Sequence, residues 1–374
     1  MTSSTSSSDP AVWRRFCRRL LCLALALGAV VYGFVFVLDP FDTLNLSPPF
    51  DRSPINTNAR YAFPALARSP QFDSMILGTS TSRLLRPSEL NPLFDARFVN
   101  VAMNSATAYE QWRLGMLFAR HHPDAKVMLI GADVVWCAPG KSLPKYTPRP
   151  FPEWMYDDNP WNDYLHQFSL YAVEQAGIQF GVLTGLRLRR YGRDGYTDFL
   201  PDDRQYDLAR ARQHLYAGGI PVVPKPVVPP VTMTAAELRA LDFPALLMMR
   251  DLLASLPNAE KIVFMVPYHI VNQPQPGSRS ALVWSECKAR IAAMTAAVPH
   301  ARLVDFMIPS PVTREDDNYW DPLHYRVRIA TWLGKTLRAA ADGPPRTEAA
   351  GYIVRGTLGP PNKPLEPPVQ SALP

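Results

Sequence analysis

Cysteine is scarce: the 374 residues contain four, and no two form a Cys-x-x-Cys pair, which argues against structural zinc. His121 and His122 are adjacent, cannot easily share one metal, and have no spaced ligand set beside them. Neither a metal nor an organic cofactor is therefore expected. Charge is sparse as well, at 19% of residues, and the net +6 is diluted over the whole length. No basic face is interleaved with aromatics, so nucleic acid is not an expected partner. Between 20 and 38 charge is missing altogether. What is plentiful is apolar residues, 47%, and proline, 39 residues. The apolar share suits a globular protein with a sizeable core, and the proline share is about twice the usual one.

The charge-free run has the dimensions of a membrane span. Its 19 residues reach about 28 Å as a helix, against a hydrocarbon core of roughly 30 Å. Arg14, Arg15, Arg18 and Arg19 precede it, and Asp39, Asp42 and Asp51 follow. That asymmetry predicts a cytoplasmic N-terminus over 1–19, a transmembrane anchor over 20–38, and the bulk of the chain outside the cytoplasm. A cleaved signal peptide is the rival reading. The run is long for one and no Ala-x-Ala site ends it, so an uncleaved single-pass anchor in the inner membrane is expected. Residues 1–13 are Ser/Thr-rich and read as disordered. Cys17 and Cys22, at the span, are either lipidated or passive apolar residues. Cys137 and Cys287 lie in the exported part, where an oxidising compartment permits a bridge, although sequence does not show that they are close.

Residues 39–70 are polar and broken by prolines, and read as a stalk packing partly on the domain. From 71 onward short apolar runs alternate with helical patterns. Strands are expected at 75–77, 98–103, 126–131, 261–267 and 302–307, and helices at 108–120, 234–256, 280–297 and 325–341. Continuous apolar strands separated by helices argue for a parallel sheet covered on both faces, with ligands at the carboxyl ends of the strands. The pattern predicts a flavodoxin-like three-layer α/β domain over 71–340. An insertion rich in Pro, aromatics and arginine interrupts it from 137 to 232, with a helical stretch near 164–185. Its aromatics and arginines either bind sugar or an anionic polymer or simply pack the insertion. Residues 341–374, rich in Pro and Gly, read as a disordered tail.

Polar chemistry collects at the predicted strand ends. The first strand runs into Gly78-Thr79-Ser80-Thr81-Ser82. A buried strand ending in Gly and small hydroxyls can expose a nucleophile over free backbone N–H groups, though the same residues also cap helices. Some 240 residues later stands Asp321-Pro322-Leu323-His324. That spacing can put a carboxylate on one imidazole nitrogen and leave the other as a base, or give an ordinary helix cap beside a surface histidine. His269, after the fourth strand, either contacts substrate or is buried and hydrogen-bonded.

Together these blocks resemble the SGNH/GDSL hydrolase superfamily over roughly 71–340, the insertion apart. Gly78-Thr79-Ser80 matches the family's Gly-Asp-Ser block with Thr in place of Asp. The run 100–105 matches the second block, with Ser105 where the family has an oxyanion-hole Gly and Asn104 beside it. Gly131-Ala132-Asp133 matches the third block, with Asp133 replacing an Asn donor. Asp321 and His324 match the last. The resemblance implies Ser80 as nucleophile, His324 as base, Asp321 as its orienter, and an oxyanion or substrate site drawn from Ser105, Asn104, Asp133 and His269. An ionised Asp133 there would repel an oxyanion. Divergent blocks behind one anchor are similar to the exported acyl-transfer branch, which includes alginate O-acetylation and teichoic-acid D-alanyl transfer proteins. The branch implies an acyl-bearing glycan or polymer as substrate and a membrane-bound O-acyltransferase as partner. The alternative that these altered blocks raise is a catalytically inactive glycan-binding or scaffolding protein.

Overall fold

The computed structural model describes residues 9–222, 224–342 and 351–355. The chain opens with α1 (Pro10–Leu38), a helix long and apolar enough to cross a membrane. Asp9 caps its start, and Asp39 ends it in the left-handed conformation. Next come α2 (Ala59–Arg68), β1 (Ser74–Leu77), α3 (Pro87–Phe94), β2 (Phe98–Asn100), α4 (Ala108–His121) and β3 (Val127–Ala132). The insertion holds α5 (Asn162–His166), α6 (Leu170–Leu183) and α7 (Leu208–Leu215). Regular order returns with α8 (Ala235–Arg239), α9 (Ala245–Ser255), β4 (Glu260–Met265), α10 (Arg279–Ala297), β5 (Ala301–Asp305), α11 (Pro311–Arg314), α12 (Val327–Asp342) and β6 (Ile353–Arg355).

The six strands form one mixed sheet in the order 2-1-3-4-5-6. The first five run parallel, and β6 pairs antiparallel with β5. β1 and β3 are buried along their whole length, as strands covered on both faces must be. α2 packs on α4, α4 on α9 and α9 on α10, while α3 packs on α12. Gly115 lets α4 approach α9, since a Cβ there would lie 2.4 Å from a Leu252 methyl.

Five segments differ from the sequence expectation. Residues 39–70 are part of the domain: Phe41, Ile55 and Phe63 are core residues, and Arg60, fully buried on α2, pairs with Glu110 of α4 at 2.6 and 3.2 Å. A long-range ion pair leaves no periodic signal, so a proline-rich run reads as a stalk. The expected helix 234–256 breaks into α8 and α9, because Pro244 stands at the N-cap of the second piece. The helical stretch near 164–185 breaks likewise, where Ser169 caps α6. Residues 353–355 belong to the sheet and not to a structureless tail: Tyr352 and Val354 are buried against it. A three-residue antiparallel edge strand beyond a proline-rich run is too short to show a period. The fifth is 10–13: expected to be disordered with the rest of 1–13, these residues form the first turn of α1 behind the Asp9 cap. Residues 1–8, 343–350 and 356–374, where disorder is expected, lie outside the described residues.

A disulfide joins Cys137, after β3, to Cys287 on α10, with Cα atoms 5.6 Å apart. It ties the start of the insertion to the helix layer.

Candidate active site

The site is built from the turn after β1 and the loop before α12. Gly78 leaves β1 with φ +153°, and a Cβ there would overlap the Ser82 side chain. The same Ser82 hydroxyl fills the space over Gly131 of β3, so both glycines are required by close approach. Residues 79–85 then fold into successive tight turns, with Ser82 N, Arg83 N and Leu85 N donating to the carbonyls of Thr79, Ser80 and Ser82. The Asn100 amide clamps these turns from β2, donating to the carbonyls of Ser82, Arg83 and Leu85 at 2.8–3.2 Å. Thr79, Thr81 and Ser82 are buried; among the four clustered hydroxyl residues Ser80 alone reaches solvent.

The second half is held as firmly. Asp321 Oδ1 accepts the backbone N–H groups of Leu323 and His324 at 2.8 and 2.9 Å, closing an Asx-type turn. Tyr319 pairs with Tyr325 across the loop. Tyr325, fully buried, donates its hydroxyl to the Thr81 carbonyl and so links this loop to the turn carrying Ser80. His269 N donates to Pro322 O at 3.0 Å.

These supports bring three side chains into line. His324 Nε2 lies 2.8 Å from Ser80 Oγ, and His324 Nδ1 lies 2.7 Å from Asp321 Oδ2. Burial pushes the Asp321 carboxyl up, but the His324 hydrogen bond and charge and the two N–H donors outweigh it and hold the group below its ordinary range. The Asp321 contact assigns the proton to Nδ1 and leaves Nε2 as acceptor for the serine hydroxyl. Such an arrangement can activate Ser80 as a nucleophile and then return the proton to a leaving group.

The other candidates separate. Ser105 is exposed and sits in the left-handed region at φ +53°, the conformation a glycine would adopt freely. Among the described residues the backbone N–H groups of Ser80 and Ser105 donate to no protein oxygen. Asn104 is half-buried, and its carbonyl accepts from the buried Arg60 guanidinium at 3.1 Å. Asp133 does not offer its carboxyl to the Ser80 hydroxyl. Its Oδ2 accepts from Thr79 Oγ1 at 2.5 Å and its Oδ1 from Val135 N at 3.2 Å. Desolvation pushes this buried carboxyl up to about 6, against the pull of those two donors.

His269 is withdrawn from the site too. It is fully buried between the rings of Tyr216 and Tyr319. Nδ1 accepts from Val271 N at 3.3 Å, and Nε2 faces Asp316 Oδ1 at 3.2 Å without the alignment of a hydrogen bond. Burial lowers its pKa, which favours the neutral ring. Asp316 also receives the Tyr216 hydroxyl at 2.5 Å and Arg212 Nε at 2.7 Å. The pair therefore fastens the insertion's α7 to the loop that carries His324, a positioning task and not a substrate contact.

Two neighbours left no mark in the sequence pattern. Phe199, from the insertion, meets the His324 ring edge to face at 5.4 Å. Arg83, three residues after Ser80, is buried with its guanidinium 5.0 Å from the Phe199 ring centre. Only the fold brings Phe199 to His324, whereas Arg83 stands in the serine's own block with nothing local to mark it as a partner of that ring. Among the described residues no group of three or more His, Cys, Asp or Glu side chains is placed to hold a metal. No protein-family model matches the chain, and no curated protein matches it.

Proposed function

We propose that this chain is a membrane-anchored serine esterase or O-acyltransferase of the SGNH/GDSL kind, acting outside the cytoplasm on acyl esters of a cell-envelope glycan or polymer. One observation carries the reading: the aligned Ser80, His324 and Asp321, with contacts of 2.8 and 2.7 Å. Ser80 Oγ attacks the ester carbonyl carbon while His324 Nε2 takes its proton. Asp321 holds the ring in the required tautomer and stabilises the imidazolium. The uncommitted N–H groups of Ser80 and Ser105 suit the oxyanion. Collapse of the tetrahedral intermediate breaks the ester C–O bond. The departing alkoxide takes the proton from His324 and leaves an acyl group on Ser80. Water then completes hydrolysis, or an acceptor hydroxyl completes transfer, by the same proton route in reverse.

Supporting features surround that core. The parallel strands follow the order 2-1-3-4-5 of flavodoxin-like sheets, with the serine after β1 near the strand-order reversal where ligands of such sheets bind. The Cys137–Cys287 bridge suits an oxidising compartment, as does the arginine-before, aspartate-after pattern around α1. A membrane-bound O-acyltransferase would be the natural acyl source. The reading as an inactive glycan-binding relative draws on one observation: Asp133 stands where a donor is wanted and spends both oxygens on its own neighbours. Labelling with a fluorophosphonate decides between them. A serine-directed adduct on Ser80, lost in Ser80→Ala, supports the enzyme. A wild type that neither labels nor hydrolyses acyl esters leaves only the binding reading.

A further inference from the structure

α6 has its polarity turned inside out. It buries Gln175 and Gln179 together with Ala172, Ala176 and Gly181, while Leu170 is 89% exposed and Phe180 is 46% exposed. Both amide atoms of buried Gln179 lack a hydrogen-bond partner among the described residues, whereas Gln175 accepts from Asn56. Glu174, the helix's sole charge, is exposed on the same face as Leu170 and Gly177, so its carboxylate has to extend toward the headgroups. A water-facing helix shows the opposite pattern, and exposed apolar surface on this scale marks an interaction site.

The flanking contacts say where that surface lies. Phe168, just before α6, meets Tyr32 of α1 at 5.4 Å, and Phe180 in its last turn meets Phe34 at 6.2 Å. Twelve residues of the insertion thus return to positions two apart on α1. A helix running along α1 would advance about 18 Å over twelve residues, against about 3 Å for two. α6 therefore lies across α1. If the hydrocarbon begins at Leu20, just after Arg19, then residues 32–34 stand about 18–21 Å into a core of roughly 30 Å, in its outer half. At the outer end Trp161 and Tyr164 stack on each other beside Phe36, where interfacial aromatics belong. Beyond the last turn follow Arg187 and Arg190, exposed and suited to lipid phosphates, and Arg189, which pairs with Asp51 at 3.1 Å.

From this geometry we infer that α6 is a second membrane element. It lies in the plane of the outer leaflet, with Leu170 and Phe180 among the acyl chains and Arg187 and Arg190 at the headgroups, and fixes the domain against the bilayer. The inference rests on α1 being the membrane span. It explains why the polar amides face the protein, and why the apolar groove between α1 and α6, lined by Val31, Val35, Phe168 and Val173, opens outward.

The test uses the full chain with Cys17→Ser and Cys22→Ser, so that an introduced cysteine is the sole free thiol. An environment-sensitive fluorophore is placed at Leu170→Cys, at Leu25→Cys within α1, or at Leu247→Cys, exposed on α9. Each protein is reconstituted into phosphatidylcholine–phosphatidylglycerol vesicles carrying a spin label near the headgroup or near the chain end. The label at Leu170 should lose most of its emission, and more to the deep quencher than to the shallow one, because residues 32–34 stand only about 3–6 Å beyond the bilayer midplane. The label at Leu247 should keep its emission. Quenching at Leu25 without quenching at Leu170 overturns the inference and leaves the span intact. Absence of quenching at both overturns the span and the inference with it.

Discussion

Asp321 and Asp133 are two carboxylates in loops at the carboxyl side of one sheet, and the protein treats them in opposite ways. Asp321 is partly exposed and accepts two backbone N–H groups and the His324 ring, so its charge is supported and its pKa lies low. Asp133 is buried, accepts one hydroxyl and one N–H, faces no cation, and is pushed up to about 6. Burial acts in the same direction on both. The number of donors decides the outcome: two N–H groups and a ring nitrogen meet Asp321, against one hydroxyl and one N–H at Asp133. Sequence blocks alone would assign both to one catalytic site. The geometry makes one the orienter of a histidine and the other a fastening for Thr79, the residue before the serine.

The largest expected effect lies on the Asp321 side. Ser80→Ala or His324→Ala in the full chain should lower acyl-ester hydrolysis by about four or more powers of ten, with folding unchanged, since triad members act as a unit. Retention of most activity would separate the hydrogen-bonded line from the chemistry. Asp321→Asn should cost less, on the order of a thousandfold or more, because an amide can present a donor to Nδ1 and favour the wrong tautomer. A loss as small as severalfold would demote Asp321 to a loop fastener like Asp133.

A third carboxylate widens the contrast. Glu110 is fully buried and is matched by Arg60 across α2 and α4. It also accepts from Thr107 N and from the Thr147 hydroxyl. Glu110→Gln leaves the buried Arg60 guanidinium without its counter-charge, and should destabilise the chain by about 3–5 kcal/mol in denaturant unfolding. A change near zero would show that water or another acceptor replaces the carboxylate.

How much of this was legible follows from chain distance. The five parallel strands announce themselves as short apolar runs between helices, and Met75, Ile76 and Leu77 are buried to the last atom. Ser80, Asp321 and His324 are readable because each sits in a compact block of its own. The roles of Asp133 and His269 are not, because their partners, Thr79 at 54 residues' distance and Asp316 across the His324 loop, are set by register between strands. Phe199 and Arg83 meet only because the insertion folds back over the site. The sixth strand and the absorbed stalk escape for the same reason: their identity lies in what they pack against, not in their own periodicity.

The smallest effect is the sharpest test of the contrast. In the unfolded chain Asp133 titrates near 3.8, and in the folded chain near 6. Between those values the folded protein holds a proton that the unfolded chain has released. Stability therefore falls as pH rises through that window, and the penalty is complete above it. A shift of this size corresponds to about 3 kcal/mol. Asp133→Asn removes the titration while keeping an oxygen for the Thr79 hydroxyl, at the cost of placing N–H against Val135 N. The variant should gain on wild type by up to about 3 kcal/mol between pH 4 and pH 7, read as the difference in unfolding free energy at the two pH values. Hydrolysis by the same variant should change no more than severalfold, because neither Asp133 oxygen is free for an oxyanion. Unaltered pH dependence would mean that Asp133 is ionised in the fold like Asp321. A large rise in rate would mean that its charge opposes the oxyanion after all, and the two carboxylates would then belong to one site.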